Sequence, residues 1–491
     1  MRITRNETAM RKTFMGVRLR SLRAERGMTQ AALAQALGLS PSYLNQIEQD
    51  QRPLTASVLL KIHRVLDVDI QQFSEDEEAR FVAQLQDALA DNPAGETVDQ
   101  AELREVAAKL PKIGRILLAM QRRHQEDQQR HEALAAGLDD VRGGPAPSGR
   151  PMPYEAVRDV FFAHRNYFHP LDTAAEQLAT EACAHGGQLA DWLGARLLAR
   201  HGVHIMSTNT GTQGALRHFD PYSRILQLSG QLRPAQRAFQ MATQLALLEQ
   251  ATEIDTLVQQ AALDHDAARL LRLGLANYLA GALLLPYTLF LKTAETLRYD
   301  IDLLAQRFGV GFETVCHRLS TLQRPQASGV PFFFIRVDRA GNISKRQSAT
   351  HFHFSRTGGT CPLWNVYEAF AKPGEVQRQI ARMPDGRTYL WIARTVTHSE
   401  GGFGAPRKTF SIGLGCDVRH AGRLVYAKGL DWKDPDVATP IGMGCKVCER
   451  PNCPQRAFPF TGRPLDVDTN QSRFAPYAAA GQGPDTTPLV Q

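Results

Sequence analysis

The stretch MTQAALAQALGLSPSYLNQIEQDQRP, residues 28–53, leaves little conformational freedom to a chain that carries it. Thr29 has the side chain to cap a helix, Leu33 and Leu37 recur on one face of that helix, and Gly38 supplies a tight turn. Ser40 then caps a further helix with Pro41 at its first position. That helix turns Leu44 and Ile47 inward and Ser42, Tyr43, Asn45 and Gln46 outward. Upstream, Leu19, Leu22 and Arg23 begin an earlier helix that Gly27 ends. Small, amide and hydroxyl side chains on an exposed helix face are what base edges and phosphates require.

Charge points the same way. Residues 1–64 hold 11 Lys/Arg against 4 acids, whereas the rest of the chain balances at 46 of each sign, so the whole net charge of +7 falls on one small segment. Such a concentration is the footprint of a polyanion binder, a soluble basic tail being the plainer alternative. Over about 55 residues the segment resembles the helix-turn-helix of the lambda-repressor/Cro-like (XRE) family, through Thr29-Gln30, Gly38, Ser40-x-x-Tyr43-Leu44, Ile47-Glu48 and Arg52-Pro53. The resemblance implies that Gln30, Ser40, Ser42, Tyr43, Asn45, Gln46 and Arg52 lie at a double-stranded DNA operator, with Gln30 and helix N-termini on phosphate. Palindromic half-sites further imply a homodimer or higher homo-oligomer.

At 491 residues and 43% hydrophobic composition, the chain is long enough for several packed cores. The N-terminus has no apolar run of signal length, and the longest apolar stretch, Leu279 to Leu291, is broken by Pro286. The expectation is a cytoplasmic protein with no membrane span. Seven cysteines in a reducing compartment argue for metal binding or burial over disulfides.

Residues 75–140 are charged, alanine-rich and helical in pattern, and GGPAPSGRPMP (143–153) reads as a linker. Glu176 to Arg200 reads as one amphipathic helix. VHIMS and HFDPYSRILQLS read as strands, with a turn at Asp220–Ser223, before the helix PAQRAFQMATQLALLEQ. That order resembles the IrrE-like (ImmA-type) zinc metallopeptidase domain, whose helix carries H-E-x-x-H because two imidazoles four residues apart share a face. Here the matching positions hold Thr243, Gln244 and Leu247, and the segment GLANYLAGALLLPY, similar to the third-ligand helix, has an apolar or small residue in place of the acid. The expected outcome is a retained fold without proteolysis, so no catalytic residue is assigned. His185, His201, His204, His218 and His265 show no ligand spacing.

A retained cleft suits a small molecule. RDVFFAHRNYFHPLD (158–172) offers Arg158, Arg165, Asn166 and Tyr167, cations and aromatics that would hold an anion with a flat ring such as an acyl-CoA; an amphipathic helix with a solvated face is the alternative. Residues 301–322 pattern as a helical pair, either packing or a second helix-turn-helix, with Cys316 as a buried thiol.

From Pro331 the pattern changes to strands, PFFFIRVD, ISKRQSATHFHF, RTYLWIARTV and RKTFSIGLGC, expected to form a small antiparallel sheet with a hairpin turn at Ala340-Gly341-Asn342. GCKVCERPNCPQ then spaces Cys445, Cys448 and Cys453 as C-x2-C-x4-C. A fourth ligand is needed. Cys416 continues the alternation of Phe410, Ile412 and Leu414 and reads as a buried thiol, whereas Cys361 sits beside Gly358 and Gly359, which let backbone approach a centre closely. The ligand set expected is therefore Cys361, Cys445, Cys448 and Cys453. An isolated cysteine plus a close trio favours a [4Fe–4S] cluster, with zinc as the alternative.

Nearly the whole chain, including ANYLAGALLLPY, TGGTCPLWNVYEAF, IGLGCDVRHAGRLVYA and CKVCERPNCPQRAFP, resembles the short-chain fatty acyl transcriptional regulators, a group that includes regulators of propionate catabolism and of acetate and glyoxylate-cycle genes. The resemblance implies a DNA-binding regulator that senses a short-chain acyl-CoA, with a [4Fe–4S] centre reporting redox or iron state. It also implies a multidomain α+β organisation: an all-α helix-turn-helix over 1–75, a helical connector over 76–153, an IrrE-like α+β domain over 154–325 and an antiparallel-sheet domain with a Cys-ligated metal centre over 326–491. The alternative is an IrrE-like metal-dependent protease acting on a repressor, which needs the H-E-x-x-H that is missing.

Overall fold

The computed structural model describes residues 16–49, 51–52, 54–66, 75–89, 98–135, 153–208, 215–349, 361–399, 403–404, 407–442, 444–445, 448, 450, 453–459, 465–466 and 478–479. It divides into two compact units. The first comprises Met1–Gly149, His353–Gly359 and Met443–Gln491, and the second Arg150–Phe352 and Thr360–Gly442.

In the first unit, α1 (Gly16–Glu25), α2 (Gln30–Leu37), α3 (Pro41–Glu48) and α4 (Ala56–Leu66) enclose Leu19, Leu33, Leu44, Ile47, Val58 and Ile62. Thr29 caps α2 by accepting from the Ala32 amide, and Ser40 caps α3 by accepting from that of Tyr43. Gly38 between them has φ +59°, the left-handed conformation only glycine adopts without strain. The connector forms α5 (Glu75–Leu89), α6 (Gln100–Lys109) and α7 (Pro111–Ala135) around a separate small core of Val82, Leu85, Leu103 and Ala107. The expected linker at 143–153 lies, apart from Pro153, outside the described residues.

The second unit begins with α8 (Pro153–Ala163), α9 (His169–His185) and α10 (Leu189–His201). The single helix expected from Glu176 to Arg200 is thus two. Gly186 and Gly187 take φ of +77° and +83°, which no helix accommodates, and the chain reverses there. Next come β1 (His204–Thr208), β2 (Arg217–Asp220) and β3 (Ile225–Ser229), in the order β1-β3-β2, with β1 parallel to β3. Behind them lie α11 (Pro234–Glu249), α12 (Ala251–Gln260) and α13 (His265–Leu284), which share one core with α9 and α10.

Then α14 (Tyr287–Thr296), α15 (Ile301–Phe308) and α16 (Phe312–Leu319) lead into β4 (Phe333–Val337) and β5 (Ile343–Ser348). Ile301, Leu304, Val315, Cys316 and Leu319 are buried in the same cluster as Phe334, Leu390 and Ile412. The α15–α16 pair therefore spends its apolar face on the sheet. After α17 (Asn365–Glu368), β6 (Gln377–Arg382), β7 (Thr388–Ser399), β8 (Arg407–Asp417) and β9 (Thr439–Pro440) complete a six-stranded sheet in the order β5-β4-β8-β7-β6-β9. This corrects the small antiparallel sheet: the sheet is mixed, β9 runs parallel to β6, and β6 was not anticipated. QRQIAR is a polar sequence whose pairing comes from β7, not from its own pattern. Cys416 is buried in β8, where burial pushes its thiol well up. In the first unit, β10 (Leu465–Asp466) pairs antiparallel with β11 (Ala478–Ala479). Among the described residues, no single helix is long and apolar enough to cross a membrane.

Candidate functional site

The face that α3 turns outward carries Ser42 and Asn45, both exposed, with Tyr43 and Gln46 half-buried beside them. Arg52 lies 5.5 Å over the Tyr43 ring, a cation–π contact that holds a guanidinium at the edge of this face. Beneath it runs a network that sequence reasoning missed. Glu48, 1% exposed at the end of α3, accepts from Arg23 Nε and Nη2 at 2.7 and 3.1 Å, and Arg23 Nη1 donates to the Met28 carbonyl. The Gln30 amide donates to Asn45 at 3.1 Å and to Glu48 at 2.9 Å, so it ties α2 to α3 and is engaged within the protein as well as placed near the face. This network fixes the angle between the three helices, and so the pose of α3.

In the second unit, the turn between α8 and α9 holds three of the four residues expected at an effector, Arg165, Asn166 and Tyr167, while Arg158 stands within α8. Arg165 and Asn166 both take positive φ, 51° and 59°. Asn166 is 1% exposed, and neither its Oδ1 nor its Nδ2 has a hydrogen-bond partner among the described residues. Such orphaned polar atoms are costly and mark places where a ligand or water completes the structure. Tyr167 is buried, its hydroxyl 2.7 Å from His169 Nδ1 and accepting from Arg324 Nε at 2.9 Å. Arg158 is paired along α8 with Glu155 and Asp159 at 3.6 and 3.7 Å.

The structure adds residues that no local pattern announced. Arg324 stacks 4.1 Å over the Tyr287 ring and donates to Glu176 at 2.6 Å. Burial works against the Glu176 carboxylate, but bonds from Thr288 and Arg324 outweigh it and hold its pKa below the usual range. One layer deeper, Asp172 and Arg318 form a sealed ion pair at 2.6 Å, with the Tyr278 hydroxyl donating to Asp172 and Arg318 Nε to the Leu285 carbonyl. Asp172 lies more than a hundred residues from both Tyr278 and Arg318, and Glu176 as far from Arg324, so spacing gives no signal of these contacts.

On α11, Thr243 and Gln244 are buried, and Leu247 is packed against the core. The Thr243 hydroxyl lies 2.9 Å from the Phe239 carbonyl and 3.2 Å from Asn277 Oδ1 on α13. The residue set against Thr243 is therefore the polar Asn277. A hydroxyl, an amide and a leucine offer zinc no imidazole or carboxylate. Among the described residues, no three His, Cys, Asp or Glu side chains converge as a metal site.

Cys445 and Cys448 are buried and Cys453 is half-buried, all in the first unit. The Cys448 amide bonds the Cys445 carbonyl at 3.3 Å, closing the C-x2-C turn. Arg456, which sequence reasoning passed over, donates to the carbonyls of Cys445 and Cys448 at 3.3 and 2.9 Å, and its amide to that of Cys453 at 3.3 Å. Burial pushes the Cys448 thiol up, opposed by the Arg450 amide and the Arg456 guanidinium. Cys361 is buried in the second unit, its carbonyl accepting from the Trp364 amide; Gly358 and Gly359 lie outside the described residues.

Known families match in three successive blocks: helix-turn-helix over residues 19–73, IrrE N-terminal-like domain over 198–320, and short-chain fatty acyl coenzyme A regulator, C-terminal, over 321–477. The HTH-type transcriptional regulator PrpR of Mycobacterium tuberculosis is 48% identical over 475 residues, 96% of this chain and 97% of that protein. RamB, an HTH-type transcriptional regulator of the same organism, is 50% identical over 95% of this chain and 99% of its own. The propionyl-CoA carboxylase regulator of Cereibacter sphaeroides is 42% identical over 95% and 98%. A solved Mycobacterium tuberculosis transcriptional regulator, 52% identical, superposes with a TM-score of 0.65 over 67% of this chain and all of that one. Similarity of this extent, running through all three blocks, makes the chain a member of the short-chain fatty acyl coenzyme A regulator family.

Proposed function

We propose that the chain is a transcriptional regulator of short-chain acyl-CoA metabolism, which binds a double-stranded operator through α3 and responds to a short-chain acyl-CoA held in its second unit. The observation that carries the DNA reading is the outward face of α3, with Asn45 and Ser42 free of the core and Arg52 stacked on Tyr43 beside them. The orphaned Asn166 amide beside Tyr167 supports an effector near the α8–α9 turn. A footprint on the chain's own upstream region tests the first part. Asn45→Ala or Gln46→Ala is expected to relax operator choice, and Arg52→Ala to weaken binding on all sequences and lower the salt slope by about one. Unchanged footprints in all three variants would sink the assignment.

The protease alternative needs a pair of imidazoles where Thr243 and Leu247 stand, so the reading is a regulator with no catalytic role. For the cysteine loop we propose a metal centre, [4Fe–4S] in preference to zinc, with Cys445, Cys448 and Cys453 as ligands. The donor type suits it, thiols alone, two of them buried, on a loop gathered by Arg456; in the structure they do not converge on one point, so loading would draw them together. An iron–sulfur cluster would supply one-electron redox chemistry. Iron, sulfide and zinc analysis with a visible spectrum, on protein purified without oxygen, decides between the metals. Loss of a band near about 400 nm in Cys448→Ser supports the cluster. A colourless, zinc-loaded protein would make the loop a structural clasp.

A further inference from the structure

Helix α7 carries apolar side chains that the protein leaves uncovered. Ile113, Ile116 and Met120 are 57%, 59% and 65% exposed, and Leu110 at the entry to the helix is 49% exposed. Steps of three and four residues put 113, 116 and 120 on one narrow arc of the helix. The neighbouring arc is already committed. Gly114 is buried where a Cβ would meet the Phe81 ring at 2.6 Å, and Leu117 and Leu118 pack on the core of α5 and α6. So α7 is fixed from one side and offers the stripe on another.

The size of the stripe indicates what covers it. At roughly 100 Å² per side chain it amounts to about 400 Å², on the scale of patches that mark interaction sites. A standard interface buries about 800 Å² per partner, and a homodimer interface is about two-thirds apolar, so about 500 Å² of apolar surface is needed from each side. One stripe supplies most of that share, and a two-fold axis lets the stripe of each copy cover that of the other. α7 also belongs to the same compact unit as α1–α4, so pairing there links two helix-turn-helix modules.

We propose that the Ile113–Ile116–Met120 stripe is the dimer interface of the protein, packing against the same stripe of a second copy. The functional need for two copies rests on the operator reading above, since palindromic half-sites call for paired modules; the surface itself does not. Sedimentation of the full-length chain at micromolar concentration tests it, with Ile116→Glu, Met120→Glu and, as a control, Ala119→Glu, exposed on the same helix off the stripe. Wild type and the control are expected to sediment as dimers, and both stripe variants as monomers with unchanged far-UV circular dichroism. A monomeric wild type, as when residues 136–152 of the same chain cover the stripe, or stripe variants that stay dimeric, would overturn the proposal. If a charged variant loses its fold, Ile116→Ser is read instead, and it should weaken dimerisation by about tenfold or more. Should the variants split the dimer while no protein binds an operator, the DNA reading fails and the interface stands.

Discussion

Buried charge does the most work per side chain in the second unit. Asp172 and Arg318 are 0% and 3% exposed, and each is satisfied by further hydrogen bonds. Deleting one partner strands the other in a medium of low dielectric. Asp172→Ala is therefore expected to destabilise the unit by about 3–5 kcal/mol in denaturant unfolding, while Asp172→Leu with Arg318→Met recovers much of the loss. A double variant as unstable as Asp172→Ala would count against this account. His317 makes a different prediction. Its Nε2 is sealed off with no partner among the described residues, and burial, then Lys345, Arg318 and Arg336, push its pKa well below 6.5, with Glu313 the acid nearby. Because the unfolded chain takes up this proton and the folded chain does not, stability is full above the ordinary histidine range and is lost as pH falls through 6.5 and below. Unfolding free energies measured from pH 8 down to about pH 5 should fall, and His317→Phe should flatten part of that slope.

At the scale of elements, β8 shows how a strand can be specified by what it lacks. Residues 411–416 are buried throughout, and a Cβ on Gly415 would sit 2.6 Å from the Trp391 ring, while one on Gly413 would meet Ile335 and Val366 at 2.7 Å. These glycines make room for the Trp391–Trp364 edge-to-face pair, whose centroids are 4.6 Å apart. Gly415→Ala should cost about 1–3 kcal/mol and alter the near-ultraviolet signal of the tryptophans; a variant with wild-type melting and spectrum would contradict this packing. The strands β4, β5, β7 and β8 were visible in the sequence because β-branched and aromatic residues bounded by turns mark them. β6 and β9 were not, since polar strands of six and two residues exist only because neighbours pair with them. The break at Gly186–Gly187 was legible and was passed over: paired glycines at φ near +80° outrank the apolar periodicity on either side.

Regulation belongs to the whole molecule, and it obeys linkage. If a short-chain acyl-CoA changes operator affinity by some factor, operator DNA must change acyl-CoA affinity by the same factor. Titrating each ligand with the other absent and then saturating should return equal ratios, typically about 5- to 150-fold. Ratios of one in both directions would separate the effector site from DNA binding and leave the second unit without a regulatory role.

The sequence by itself determined the elements whose cause is local. The capped helices around Gly38, the outward set of Ser42, Tyr43, Asn45 and Gln46, the C-x2-C-x4-C spacing and the replacement of the zinc ligands at Thr243 and Leu247 all follow from side chains within a few residues of one another. Only the tertiary structure decided which distant groups meet: Glu48 with Arg23, Asp172 with Arg318, Tyr167 and Glu176 with Arg324, Thr243 with Asn277. A hydrogen bond or ion pair acts over a few ångströms of space, whereas periodicity and spacing report only on neighbours along the chain, so contacts between residues remote in sequence are fixed by packing alone.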